Sequence, residues 1–181
     1  MEKLARFVYK WDYNYSSLLN PLKEDLIDWY YKTKSSNPNI KDINISSSPV
    51  TNLVCNKIRE EIKKEFFVGD LIGDKGLGLY IQDNKTSTLK LHDHIGELGS
   101  IQAVFYLNIP QSGGEILFRY LENSEWGDEL ILKPKINQIY FFPYWLPHTP
   151  LPQEDETPRF CFNFGYESNE RPIHKLSGDR W

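Results

Sequence analysis

The sequence predicts an α+β fold in which two amphipathic helices precede an antiparallel sandwich or jelly roll, the helices packing on one sheet. Three observations carry this prediction. Apolar residues recur at helical spacing over residues 20–33 and 49–66. From Leu77 onward the period shortens to strand-like runs. Turn residues separate those runs at Asp83-Asn84, at 110–114, at 123–127 and at 134–137.

In chain order, residues 5–15 are rich in strand formers and are expected to form an edge strand. Asn20-Pro21 reads as an N-cap followed by proline at the first helical position, after which Leu22, Leu26, Trp29 and Tyr30 form the apolar face. Ser35-Ser36-Asn37-Pro38 ends that pattern. Pro49 starts a second helix whose stripe is Val50, Val54, Ile58, Ile62 and Phe66, a face suited to packing on the sheet of its own domain. Strands are expected at 77–82, 86–94, 101–109, 115–121, 129–133, 138–142 and 158–165. The expected organisation is one domain over 1–181: helical support at 16–68, a strand core at 77–166 and an irregular C-terminal arm at 167–181.

Composition narrows the function. With 181 residues, 40% apolar and 14% aromatic, the chain can bury a core of its own. A net charge of −4 with signs interspersed gives no basic stripe and hence no nucleic-acid signal. No stretch is long and apolar enough to span a membrane, and the N-terminus lacks an uninterrupted apolar signal region, so a cytoplasmic protein is expected. Cys55 and Cys161 read as reduced, structural thiols.

The chemistry concentrates in residues 90–159, which hold three of the four histidines. Side chains alternate across a strand, so His92 and His94 point to one face and can reach a common metal. His148, just after the run ending Phe141-Phe142-Pro143, is placed to supply a third donor. Imidazole suits iron, zinc, copper or nickel, so ligand type alone does not name the ion. His174 lacks such neighbours and reads as an ordinary hydrogen-bonded residue. Tyr140-Phe141-Phe142 alternate as core aromatics do, whereas Trp145, beside the presumed ligand, is the candidate for the substrate pocket. The loops at 95–100 and 122–128 are expected to border the opening.

Residues 79–166 resemble the core of the iron(II) and 2-oxoglutarate-dependent oxygenases. The resemblance rests on His92-Asp93-His94, on Tyr106-Leu107-Asn108, and on Gly113-Gly114-Glu115-Ile116-Leu117-Phe118. Phe142-Pro143 through His148 follow, with Arg159 eleven residues further on. The variant with a His-x-His pair and Trp-Leu-Pro-His is similar to a subgroup found among bacterial and phage sequences. The resemblance implies a double-stranded β-helix and a cytoplasmic dioxygenase. Such an enzyme uses Fe(II), 2-oxoglutarate and O2, and hydroxylates a small-molecule or peptide substrate with release of succinate and CO2. It also implies that Arg159 binds the far carboxylate of 2-oxoglutarate, assisted by Tyr80 and Tyr106, with Asn163 facing the same cavity. A monomer and a homodimer are equally compatible.

One departure stands out: the family's carboxylate, two residues after the first histidine, is replaced by His94. Three readings stay open at the level of sequence. His92, His94 and His148 can form the metal site together. A register shift can instead pair His94 with Gly96, leaving the carboxylate position without a side chain, as in halogenases of this fold. Asp93 or Glu97 can fold back as the carboxylate. A cupin-like binding protein without turnover is the alternative from a different class.

Overall fold

In the computed structural model, which describes residues 2–5, 8–12, 16–36, 71–82, 90–95, 101–122 and 125–168, the chain builds two antiparallel sheets. The strands are β1 (Glu2–Ala5), β2 (Val8–Asp12), β3 (Leu71–Gln82), β4 (Ile101–Asn108), β5 (Ile116–Glu122), β6 (Glu125–Leu132), β7 (Gln138–Pro143), β8 (His148–Pro150) and β9 (Arg159–Ser168). One helix among the described residues, α1, covers Ser16–Ser36. The larger sheet has the order β1-β2-β7-β4-β9-β3 and the smaller β6-β5-β8. This mostly antiparallel arrangement, with few helical residues among those described, is consistent with a jelly roll.

Strand alternation sorts the larger sheet into two buried faces. Val104 and Tyr106 of β4, Tyr140 and Phe142 of β7 and Cys161 of β9 join Ile116 and Phe118 of β5 in one core between the sheets. The alternate positions Phe105, Ile139, Phe141 and Phe160 are also buried and lie on the opposite face. There α1 packs across β4, and the Tyr30 ring meets Phe160 edge to face at 6.0 Å. Strands buried on both sides read as near-continuous apolar runs, which is why β4 and β7 are so aromatic.

Several elements differ from the sequence expectation. The N-terminal segment makes two strands, and β2 is an interior strand paired with both β1 and β7. Helix α1 begins at Ser16, a turn before Asn20; Pro21 inside it removes one hydrogen bond near an end that is already incomplete. Trp29 is 37% exposed while Tyr30 is buried, so the inward stripe is narrower than the apolar pattern. Strand β6 starts at Glu125, since its hairpin with β5 pairs Glu122 with Glu125. The expected second helix and most of the C-terminal arm lie outside the described residues.

Candidate metal centre

Segment 90–95 and β8 set the three histidines. His92 and His148 exchange both backbone hydrogen bonds, at 3.1 and 2.9 Å. Residues so paired in antiparallel strands project from the same face, and two residues on, His94 returns to it. The His94 N–H donates to the Tyr144 carbonyl at 2.8 Å, anchoring the far end of the segment. On its other edge β8 pairs with β5, which sets His148 opposite the fully buried Phe118. Phe142 closes the inner side, its ring 4.5 Å from that of His148.

The ligand atoms of His92, His94 and His148 all lie within 4.8 Å of one another. The Nδ1 of His92 is 3.0 Å from the Lys90 carbonyl, and the Nδ1 of His148 is 2.9 Å from that of Leu146. A carbonyl only accepts, so each Nδ1 donates and each Nε2 keeps its lone pair for an ion. Burial pushes the pKa of His148 down to about 3, with a smaller contribution from the neighbouring imidazoles, so it is neutral at neutral pH. These donors fit a divalent transition metal. Asp93 is turned away from them, its carboxylate accepting the Ile95 N–H at 3.0 Å.

The histidines open onto a cavity of about 290 Å³ that also takes Gln102, Val104, Tyr106, Arg159, Cys161 and Asn163 in its wall. Arg159 is 1% exposed. Its Nη1 donates to the Gly114 carbonyl at 3.3 Å, while Nε and Nη2 are buried without a hydrogen-bond partner. No carboxylate pairs with it among the described residues, and a buried charge without a counter-charge is strongly unfavourable, so the guanidinium has the donors to take an anion. Tyr106 faces the same space; burial, reinforced by Cys161, holds its phenol protonated, so it keeps an O–H to donate. Asn163 lies four residues along β9 with a buried, unpartnered Oδ1.

Of the residues singled out from the sequence, the cavity therefore gathers His92, His94, His148, Tyr106, Arg159 and Asn163. Tyr80 occupies the β3 position opposite Cys161, with its side chain outside the described residues. Trp145 is not in the cavity wall; it is half-buried against the core between the sheets, because the turn carrying it folds back onto β7 through Leu146 N–H to Pro143 O. Gln102 was not anticipated. Its signal was present, since it shares the inward parity of Val104 and Tyr106 as a polar residue in an apolar strand.

No protein-family model matches the sequence, and no curated protein matches it. Solved structures do match in fold. A prolyl-4-hydroxylase from Pseudomonas putida aligns with a TM-score of 0.60 and 17% identity over 90% of this chain and 88% of its own. A prolyl hydroxylase from Trichoplax adhaerens, solved with a hypoxia inducible factor oxygen degradation domain peptide fragment, gives 0.64 and 12% over 96% and 87%. A non-heme α-ketoglutarate-dependent epimerase from nogalamycin biosynthesis gives 0.61 and 11% over 92% and 80%. The chain has the fold of the 2-oxoglutarate and iron(II)-dependent oxygenases.

Proposed function

We propose that the protein is an iron(II)- and 2-oxoglutarate-dependent dioxygenase that hydroxylates a peptide or small-molecule substrate. The observation that carries this reading is a buried guanidinium with two unpartnered nitrogens in the same cavity as three convergent imidazoles. His92, His94 and His148 hold the iron(II). The engagement of Asp93 in its own turn favours the three-histidine set over a carboxylate folding back. Arg159 takes the far carboxylate of 2-oxoglutarate through a two-pronged charge-assisted pair, and Tyr106 donates its O–H to the same group. Tyr80, by its register next to Cys161, and Asn163 complete the co-substrate wall. Bound iron and 2-oxoglutarate supply oxygen activation coupled to decarboxylation to succinate. The apolar residues Val104, Ile116 and Phe142 keep water from the reacting end. With segment 90–95 counted as a fourth strand beside β8, the core reads as a double-stranded β-helix. The prolyl hydroxylases of the same fold support a peptide as one substrate class.

The test is anaerobic addition of iron(II), with and without 2-oxoglutarate, followed by visible absorption. A band that requires both components, and that Arg159→Ala abolishes, is the expected result. Iron uptake without any response to 2-oxoglutarate would overturn the reading in favour of a metal-binding protein without turnover.

A further inference from the structure

The connection between the metal ligand His148 and Arg159 is a loop, residues 151–158, stitched to the Gly113-Gly114 turn. The Leu151 N–H donates to Glu115 O at 2.7 Å, the Gly114 N–H to Pro152 O at 2.9 Å and the Glu154 N–H to Ser112 O at 3.0 Å. Gln153 sits at the centre of this seam. Its backbone bridges Gly113, and its side chain is buried beneath the loop. The carboxamide Nε2 donates to two loop carbonyls, Thr157 O at 2.8 Å and Asp155 O at 3.2 Å. Asp155 closes the loop from outside, its carboxylate accepting the N–H groups of Ser112 and Thr157, each at 2.7 Å. One residue before Arg159, the Pro158 carbonyl is held by Asn108 Nδ2 at 2.7 Å.

We infer that Gln153 is a positioning residue for Arg159: its carboxamide, holding the Asp155 and Thr157 carbonyls, keeps the shape of the loop that backbone bonds tie to the glycine turn, and so sets the aim of the guanidinium and the affinity for 2-oxoglutarate. The role rests on the co-substrate reading above. The physical link is short. The one hydrogen bond orienting the Arg159 head runs to Gly114, and at 3.3 Å it is too long to fix the geometry by itself. Gly114 is held by its N–H to Pro152 O, on the loop whose shape the Gln153 carboxamide maintains, while Pro158, anchored to β4, fixes the root of the side chain. A bidentate carboxylate contact tolerates little misalignment. The histidines are held separately, by β5, by the His92–His148 pairing and by the Tyr144 carbonyl, none of which passes through Gln153.

The expected signature is therefore a split between the two ligands. Gln153→Met keeps the length and loses the donor. In anaerobic titrations it raises the Kd for 2-oxoglutarate of the iron-loaded protein by roughly tenfold or more, the loss of one well-placed charge-assisted pair. Iron(II) affinity without co-substrate stays within about twofold of wild type, inside the additivity expected for independent sites. Gly113→Ala reaches the same seam from the turn, its new Cβ falling 2.6 Å from Pro152 O, and gives the same split if the glutamine variant does not fold. Equal loss of both affinities, or loss of neither, would overturn the positioning role. A wild-type protein that takes iron but not 2-oxoglutarate would remove the co-substrate reading itself, and the positioning role with it.

Discussion

Arg159 carries a permanent charge at a position itself almost closed to water, with Gly114 O as the acceptor that its guanidinium finds. Unsatisfied buried donors cost about 1–3 kcal/mol, so in the proposed role this side chain would destabilise the ligand-free fold in exchange for binding an anion. Arg159→Met, of similar reach but apolar, should raise the unfolding free energy of the ligand-free protein by about 1–3 kcal/mol in a urea titration. The same variant should lose the 2-oxoglutarate response. If it lowers stability instead, a partner compensates the guanidinium in the ligand-free state and the anion-site argument fails. The residue types at this scale are legible in sequence: three histidines and an arginine, spaced as in the oxygenases they resemble, stand out as candidates without any contact being known. Gln153 is not, because a glutamine in a loop becomes informative only once burial removes water as its partner.

The turn between β4 and β5 governs more than a reversal of direction. Gly113 and Gly114 both have positive φ, at 70° and 73°, and lie against the loop that leads to Arg159. An alanine Cβ at position 114 would fall 2.4 Å from Pro110 Cγ. Left-handed backbone costs a residue with a side chain roughly 1–2 kcal/mol, and overpacking about 1–3 more. Gly114→Ala should therefore lower the urea midpoint by the equivalent of about 2–5 kcal/mol, and a Pro110→Ala background should recover the overpacking part. Equal losses in both backgrounds would mean that backbone strain alone is at work. Element boundaries were less legible than the elements. Leu71 starts β3 well before the expected residue 77, and β8 was not foreseen, since three residues carry no period. The short strand exists because β5 offers it hydrogen bonds, which is a property of the neighbour.

For the whole molecule, the consequence of the proposed three-histidine set is that its ligands would add no negative charge to the ion. An ion held by His92, His94 and His148 keeps its full positive charge, and Arg159 adds another in the same cavity. The proposed dianionic co-substrate would answer both charges. Iron(II) should accordingly bind more tightly with 2-oxoglutarate than without it, and by linkage 2-oxoglutarate more tightly with iron than without it. Each ligand at a hundredfold its Kd should add about 2.7 kcal/mol to the unfolding free energy, and a chelator should remove the iron share. Thermal unfolding in the four combinations checks this. Additive, uncoupled shifts would place the two ligands in separate sites.

The sequence by itself determined the fold class, the early helix, most strands and the residues able to hold a metal, because these follow from hydrophobic period, turn chemistry and ligand type. It left the register of His92-Asp93-His94 open. Only the tertiary structure placed His92 opposite His148 and turned Asp93 into its own loop, because strand register depends on which backbone groups pair across the sheet. It likewise moved Trp145 from the cavity to the core and brought Gln153 beneath the loop before Arg159. Those positions depend on contacts between segments distant in the chain, and a local pattern carries no record of them.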